Sequence, residues 1–335
     1  MKKIILAVLA VSLLLSPLTA MADNTTLYGK MRYSFASVQD DTVDGLVGAD
    51  NTSLFGVKGT YGDDMQAFFH LQTGAKADDN SGNSGTALAQ RFFFAGLKSS
   101  LGKVQYGRMT NAYKMPGFKL DRFYNTAGVN ATGVSSYGGA TYGLSGATNG
   151  FTDNALEFTS PKIADLITAH GGLYVDDANT DDHGYSYGAK IATGGIMAGV
   201  VGATNGNAVV TVPGVAADQS AVRGYGKYQG KGYSLGVSYE NVEDTATTDV
   251  NYLYVIGSYN VSDKLEAIAS YGNVDSGAAE GDGFTGGLFY SIAPNTQVFA
   301  LVSAASLDDD SSSHAEDNPT VYGMGFFHNF SMSSN

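Results

Sequence analysis

The chain contains no cysteine and no tryptophan, and only 6 of its 335 residues are proline. The absence of cysteine excludes a disulfide framework, a zinc–thiolate site and a thioether-linked lipid anchor. Beyond the N-terminal segment there is no run of about 18 apolar residues, so no transmembrane helix is expected. The five histidines, His70, His170, His183, His314 and His328, are scattered without metalloprotease spacing. No serine sits at a strand-to-helix nucleophile elbow, so nucleophilic hydrolysis has no foothold and no cofactor is expected. Asp177-Ala178-Asn179-Thr180-Asp181 has the start of a calcium loop, but Asp182 takes the glycine position and no glutamate closes it. Gly281-Asp282-Gly283 lacks the strand-to-helix setting of a phosphate loop. No basic patch points to nucleic acid.

At the N-terminus, Lys2 and Lys3 precede an apolar stretch from Ile4 to Leu15, broken by Pro17 and followed by Ala20-Met21-Ala22. Residues 1–22 therefore read as a removable export signal, too short to span ~30 Å of hydrocarbon as a helix. Residues 23–335 form the remaining domain, more negative than the full chain's −13 by the two lost lysines.

The domain alternates apolar and polar residues. Tyr233, Leu235, Val237 and Tyr239 oppose Ser234, Gly236, Ser238 and Glu240; in the first strand Leu27, Met31, Tyr33 and Phe35 oppose Tyr28, Lys30, Arg32 and Ser34. A period of two is the mark of a sheet with one greasy and one polar face. Strands are expected at 26–37, 52–60, 66–73, 88–98, 103–109, 153–159, 166–174 and 185–191, then at 196–203, 219–228, 233–240, 250–259, 265–271, 283–290, 297–305 and 320–330. The gaps alternate too. Short, nearly neutral turns such as Tyr61-Gly62-Asp63-Asp64 and Gln229-Gly230-Lys231-Gly232 take turns with long gaps that hold most of the 32 acidic residues. In an up-and-down sheet, successive turns lie at opposite ends, which gives the fold one short-turned end and one long, acidic end. The 21 tyrosines and 17 phenylalanines either form belts at two membrane interfaces or fill sheet surfaces. Tyr33, Tyr239, Tyr259, Tyr271 and Phe330 are belt candidates.

Several segments resemble the general porins of Gram-negative outer membranes, a trimeric, sixteen-stranded family. Leu27-Tyr28-Gly29-Lys30 is similar to the family's first strand and Phe55-Gly56-Val57-Lys58-Gly59 to its second. Arg91-Phe92-Phe93-Phe94-Ala95-Gly96-Leu97-Lys98 with Tyr106-Gly107-Arg108 is the most specific match. A long segment, 109–152, follows it with Met115-Pro116-Gly117-Phe118, and Asp153-Asn154-Ala155-Leu156-Glu157 resembles the strand leaving the family's constriction loop. Tyr322-Gly323-Met324-Gly325-Phe326-Phe327-His328-Asn329-Phe330 resembles its terminal strand.

The resemblance implies an all-β fold: a 16-stranded antiparallel transmembrane β-barrel with a long third external loop folded into the lumen. It implies a water-filled outer-membrane channel for passive diffusion of small hydrophilic solutes and ions, not an enzyme. It further implies a homotrimer, exported through the periplasm and surrounded by outer-membrane lipid and lipopolysaccharide. The family's basic constriction wall maps onto Lys30, Arg91 and Arg108, and its loop acid onto Asp121, with Arg122 beside it. Leu54 stands where many members carry a wall arginine. Asp153 takes the arginine position leaving the loop, and Glu157 is expected on the same strand face. These losses, with the net negative charge, lead us to expect a cation-preferring pore. The competing reading is that external charge only repels ions or binds counterions and lipid.

Two other readings fit the same residues. A substrate-selective channel would bind one nutrient in its lumen and show saturable block. A secreted β-solenoid or adhesin would bind a ligand through acidic loops and leave the membrane pellet without detergent. Finally, family members usually stop at the terminal aromatic, whereas Ser331-Met332-Ser333-Ser334-Asn335 follow Phe330 here; this tail is expected to hang in the periplasm.

Overall fold

The computed structural model describes residues 24–39, 45–75, 88–126, 143–144, 151–175, 183–204, 220–243, 249–275, 279–309, 316–317 and 320–334. The expected signal segment, 1–22, and about half of the acidic gap residues lie outside them. The first half of the sheet comprises β1 (Asn24–Gln39), β2 (Gly45–Asp50), β3 (Leu54–Tyr61), β4 (Gln66–Ala75), β5 (Leu88–Ser99), β6 (Gly102–Met109), β7 (Thr152–Thr159), β8 (Ile167–Tyr174) and β9 (Gly184–Thr193). The second half comprises β10 (Ile196–Thr204), β11 (Ser220–Gln229), β12 (Tyr233–Glu243), β13 (Val250–Asn260), β14 (Leu265–Asp275), β15 (Ala279–Ala293), β16 (Thr296–Asp309), β17 (Glu316–Asp317) and β18 (Thr320–Ser333). One short helix, α1 (Lys114–Leu120), lies between β6 and β7.

Each segment pairs antiparallel with its neighbours, and β1 pairs with β18 from Thr26↔Ser333 to Gln39↔Thr320, closing the ring. β2 and β3 both pair with β1, and β17 and β18 both pair with β16, so the eighteen segments are sixteen barrel strands. Closure satisfies every strand edge, which hydrocarbon demands of a spanning sheet. The β2–β3 break comes at Asn51–Ser53, where Thr52 has a φ of 75°. Ladder bonds are replaced there by Asn51 N–H to Arg32 O (2.8 Å) and Arg32 N–H to Ser53 Oγ (3.0 Å).

The period-two pattern sets the two faces. On β12, Tyr233, Leu235, Val237 and Tyr239 are exposed on the outside, while Ser234, Gly236, Ser238 and Glu240 are buried toward the lumen. The same outward band continues through Tyr322, Met324, Phe326 and Phe330 of β18. A soluble protein would not leave so much contiguous apolar surface in water.

Of three register shifts among the described strands, two bear on the lumen. Opposite Leu71 and Thr73 of β4, β5 carries one extra residue, and this bulge turns both Arg91 and Phe92 inward. A second shift, at Gly107/Met109 of β6, falls beside Asn154 of β7, whose φ is 47°.

The C-terminal residues correct one expectation. Ser331, Met332 and Ser333 do not hang free but continue β18 against Tyr28, Leu27 and Thr26. Ser334 N–H then donates to Thr25 O at 2.9 Å. Gly29 makes room for the Phe330 ring across this seam; a Cβ there would lie 2.2 Å from the ring's Cζ. Deleting residues 331–335 removes a few ladder bonds worth roughly 1 kcal/mol each, so barrel stability should fall by about 1–3 kcal/mol. The check is the temperature at which the heat-modifiable folded band disappears from a denaturing gel.

Candidate functional site

The lumen is shaped by the segment after β6. Asn111 Oδ1 accepts the Lys114 N–H at 2.8 Å, starting α1, and Pro116 sits in the first turn, where no amide partner is required. From α1 the chain lies against the inner faces of β11–β15. Leu120, Phe123 and Leu144 join Ile256, Ile268 and Phe289 in one buried cluster, so this side of the barrel is packed rather than open. Each such side chain contributes about 1.5–3 kcal/mol of burial.

Polar pins fix the same segment. Arg223 and Glu240 on the wall form an ion pair of 2.8 Å with both side chains 0% exposed. The Tyr113 hydroxyl donates to Glu240, and Arg223 Nη1 donates to the Tyr113 carbonyl at 3.1 Å. Burial, with Glu240 beside it, pushes the Tyr113 hydroxyl well above the usual phenol range, so it stays a donor. Farther along, Thr52 Oγ1 donates to Asn125 Oδ1 at 2.8 Å, tying the loop to the β2–β3 break.

Across from this packed side stands a basic wall. Lys30 and Arg32 project from β1, Arg91 from β5, and α1 adds Lys114. The Phe151 ring gathers three cations: the Arg91 and Arg108 guanidinium carbons at 4.7 and 5.4 Å, and Lys114 Nζ at 5.2 Å. Arg32 lies 4.9 Å over Phe327. Arg91 Nε donates to Gln72 Oε1 at 2.9 Å, and Gln72 Nε2 donates to the Tyr28 hydroxyl at 2.7 Å. Among the described residues, none of Lys30, Arg32 and Arg91 has a carboxylate oxygen within 4.0 Å. Burial, with Arg91 adding repulsion, pulls the Lys114 ammonium down to about 8.

The lumen's described carboxylates are, by contrast, engaged. Asp121 is only 5% exposed and stands against β13, where Oδ1 accepts from Phe123 N–H (2.9 Å) and the Tyr254 hydroxyl (3.1 Å). It is therefore not an open acid facing the basic wall. Arg122 turns to Glu266 on β14, 2.7 Å away. Glu157, 8% exposed, accepts from Gln105 Nε2 and Ala112 N–H, each at 3.0 Å, and from the Tyr174 hydroxyl at 3.3 Å. Asp153 pairs with Arg108 at 2.6 Å, its side chain 62% exposed. The register shift between Asp153 and Glu157 breaks the simple alternation, so the two do not share one environment as expected. Leu54 is buried directly opposite Lys30 and contributes no charge.

The structure thus brings Lys30, Arg91 and Arg108 to one region and leaves Asp121, Arg122 and Glu157 bound to other partners. Sequence reasoning missed Arg32, Lys114, Phe151 and Tyr124, whose ring centroid lies 5.8 Å from Lys114 Nζ. Arg32 was within reach, since it shares the alternating face of Lys30; the other three are placed by the loop's path, which no periodicity encodes. Among the described residues, no group of three or more His, Asp or Glu is placed to hold a metal ion.

Comparison with solved structures gives the fold independent support. An anion-selective porin from Comamonas acidovorans superimposes with a TM-score of 0.76 at 19% identity, covering 92% of this chain and 100% of that one. Salmonella typhi OmpF in complex with daunomycin gives 0.70 at 16% identity, with 91% and 97% coverage. A trimer form of Vibrio cholerae OmpT gives 0.66 at 15% identity, with 92% and 99% coverage. No curated protein matches the chain in sequence. The Gram-negative porin family matches over residues 6–312. With that match and a closed barrel narrowed by its own loop, the chain belongs to the Gram-negative porin family, outer-membrane β-barrels that form channels for passive diffusion.

Proposed function

We propose that this channel favours small anions at its narrowest region. The observation that carries the reading is the charge imbalance of the lumen: Lys30, Arg32 and Arg91 lack carboxylate partners among the described residues, whereas Asp121, Glu157, Glu240 and Glu266 are each hydrogen-bonded or ion-paired. Magnitudes decide between this and the cation preference drawn from net charge. Acidic groups on external loops are screened beyond a Debye length of about 8 Å at physiological salt. A fixed charge beside a permeating ion acts at ~4 Å, where the interaction is about 1 kcal/mol in bulk water and several times larger near a low-dielectric wall. The local basic wall therefore outweighs the distant acidic loops. The anion-selective neighbour from Comamonas acidovorans is consistent with this reading, which replaces the expected cation preference.

Further parts of the proposal are a homotrimer, as in the trimer form of OmpT, removal of residues 1–22 on export, and contact of the outer apolar band with lipid and lipopolysaccharide. No chemical step is involved: solute moves down its own gradient. Reversal potentials of the reconstituted protein across a salt gradient test the selectivity. Anion preference is expected, and a cation-side potential would overturn it.

A pH dependence follows from Lys114. Its proton is bound below about 8 and lost above, so raising the pH through that value should lower anion preference in a step. The arginines keep the remainder. In Lys114→Met the step should be absent, read from reversal potentials on either side of it.

A further inference from the structure

We infer that the lumen on the short-turn side of α1 holds a binding pocket for small aromatic carboxylates. The inference rests on the channel reading but not on the direction of its ion preference. A cavity of about 380 Å³ lies there, between α1 and the walls of β4 to β11. That is within the range of about 300–1,000 Å³ usual for small-molecule sites.

The lining is amphipathic in a way that a plain water channel does not require. Lys119 of α1 and Lys190 of β9 stand close enough to repel each other and mark a cationic end. Phe92, Phe94, Met109, Met115 and Met197 supply apolar walls. Thioether sulfur and ring edges both make favourable contacts with an aromatic body. Glu157, the one carboxylate among the described lining residues, already has three donors, so it does not cancel the lysines.

The chemistry picks the ligand class. A small inorganic anion would use the lysines and leave the apolar wall wet; an apolar solute would use the wall and leave the lysines without a counter-charge. An aromatic carboxylate uses both. The pocket also has an exit: His70, Phe94 and Lys103 are shared with a second cavity of about 510 Å³ that opens among Lys58, Lys98 and Asn24 toward the short-turn end. A bound solute can therefore leave on the periplasmic side.

The test uses the full protein reconstituted in a planar bilayer, with benzoate as probe, acetate as the head group alone and benzyl alcohol as the body alone. Benzoate should interrupt the current with a saturating concentration dependence, while acetate and benzyl alcohol should not. Lys119→Ala and Lys190→Ala should each weaken the benzoate block by about tenfold, the size of a lost charge-assisted bond. Met197→Ala should weaken it by several-fold. Open-channel conductance in chloride reports for each variant that a folded pore is present. Equal behaviour of benzoate and acetate, or a benzoate block unchanged in all three variants, would overturn the pocket. Absence of any conductance would instead overturn the channel itself.

Discussion

Replacing Lys30, Arg32 and Arg91 together with glutamine is expected to carry the reversal potential across zero, from the anion side to the cation side. Clustered wall charges set potentials of several kT, and each kT changes a permeability ratio by a factor of e, so the ratio should move by roughly tenfold or more. Arg91 should account for the largest single share. It is held on Gln72 at 2.9 Å and stacked on Phe151 at 4.7 Å, so its charge is fixed in place rather than averaged over rotamers. Arg108→Gln is the informative contrast. Its guanidinium already faces Asp153 at 2.6 Å in an exposed pair, so its loss should shift the potential little. If the triple replacement left selectivity intact, the controlling field would lie outside the basic wall and the proposed role of these residues would fail.

The second large effect concerns what holds the loop. Glu240→Ala strands the Arg223 guanidinium at 0% exposure and should destabilise the folded barrel by about 3–5 kcal/mol. Urea unfolding followed by intrinsic tyrosine fluorescence measures it. Tyr113 also loses the acceptor for its hydroxyl, so the loop should loosen and single-channel current should become noisier. Pairing Arg223→Met with Glu240→Leu separates the two consequences. Apolar replacement of a buried pair is often neutral or better for stability, so folding should recover. The noise should persist, because both Tyr113 partners are gone. A quiet current in both variants would mean that Leu120, Phe123 and the Asp121–Tyr254 bond hold the loop without the ion pair.

How far the fold could be read from residues alone depended on which physical constraint each residue obeys. Tyr233, Leu235, Val237 and Tyr239 must touch hydrocarbon, so their alternation was plain and the strand count followed. Strand ends were less legible. The strand expected at 283–290 runs from Ala279 to Ala293, because Glu280 and Asp282 continue the ladder against Asp308 and Ser306. Backbone pairing there needs no apolar partner, so the side chains carry no signal of it. The split between β2 and β3 was missed for a related reason: it depends on one positive φ at Thr52 and on hydrogen bonds to Arg32. The basic wall was partly visible, as Lys30 and Arg91 lie on regular strands. The contact of Asp121 with Tyr254 was not legible, since the two lie 133 residues apart and no local pattern says which wall a lumen loop meets.

The seam between β1 and β18 has a consequence for how the molecule comes into being. Thr25 and Ser334 bond across 309 residues of sequence, so the first strand to leave the ribosome waits for the last before its edge is covered. Contacts of such separation form late and slowly. Until then two open edges remain, each able to pair with a foreign strand and neither tolerable in lipid. The chain is therefore obliged to travel shielded and to insert with its two ends brought together, so that assembly finishes as a single concerted event rather than strand by strand.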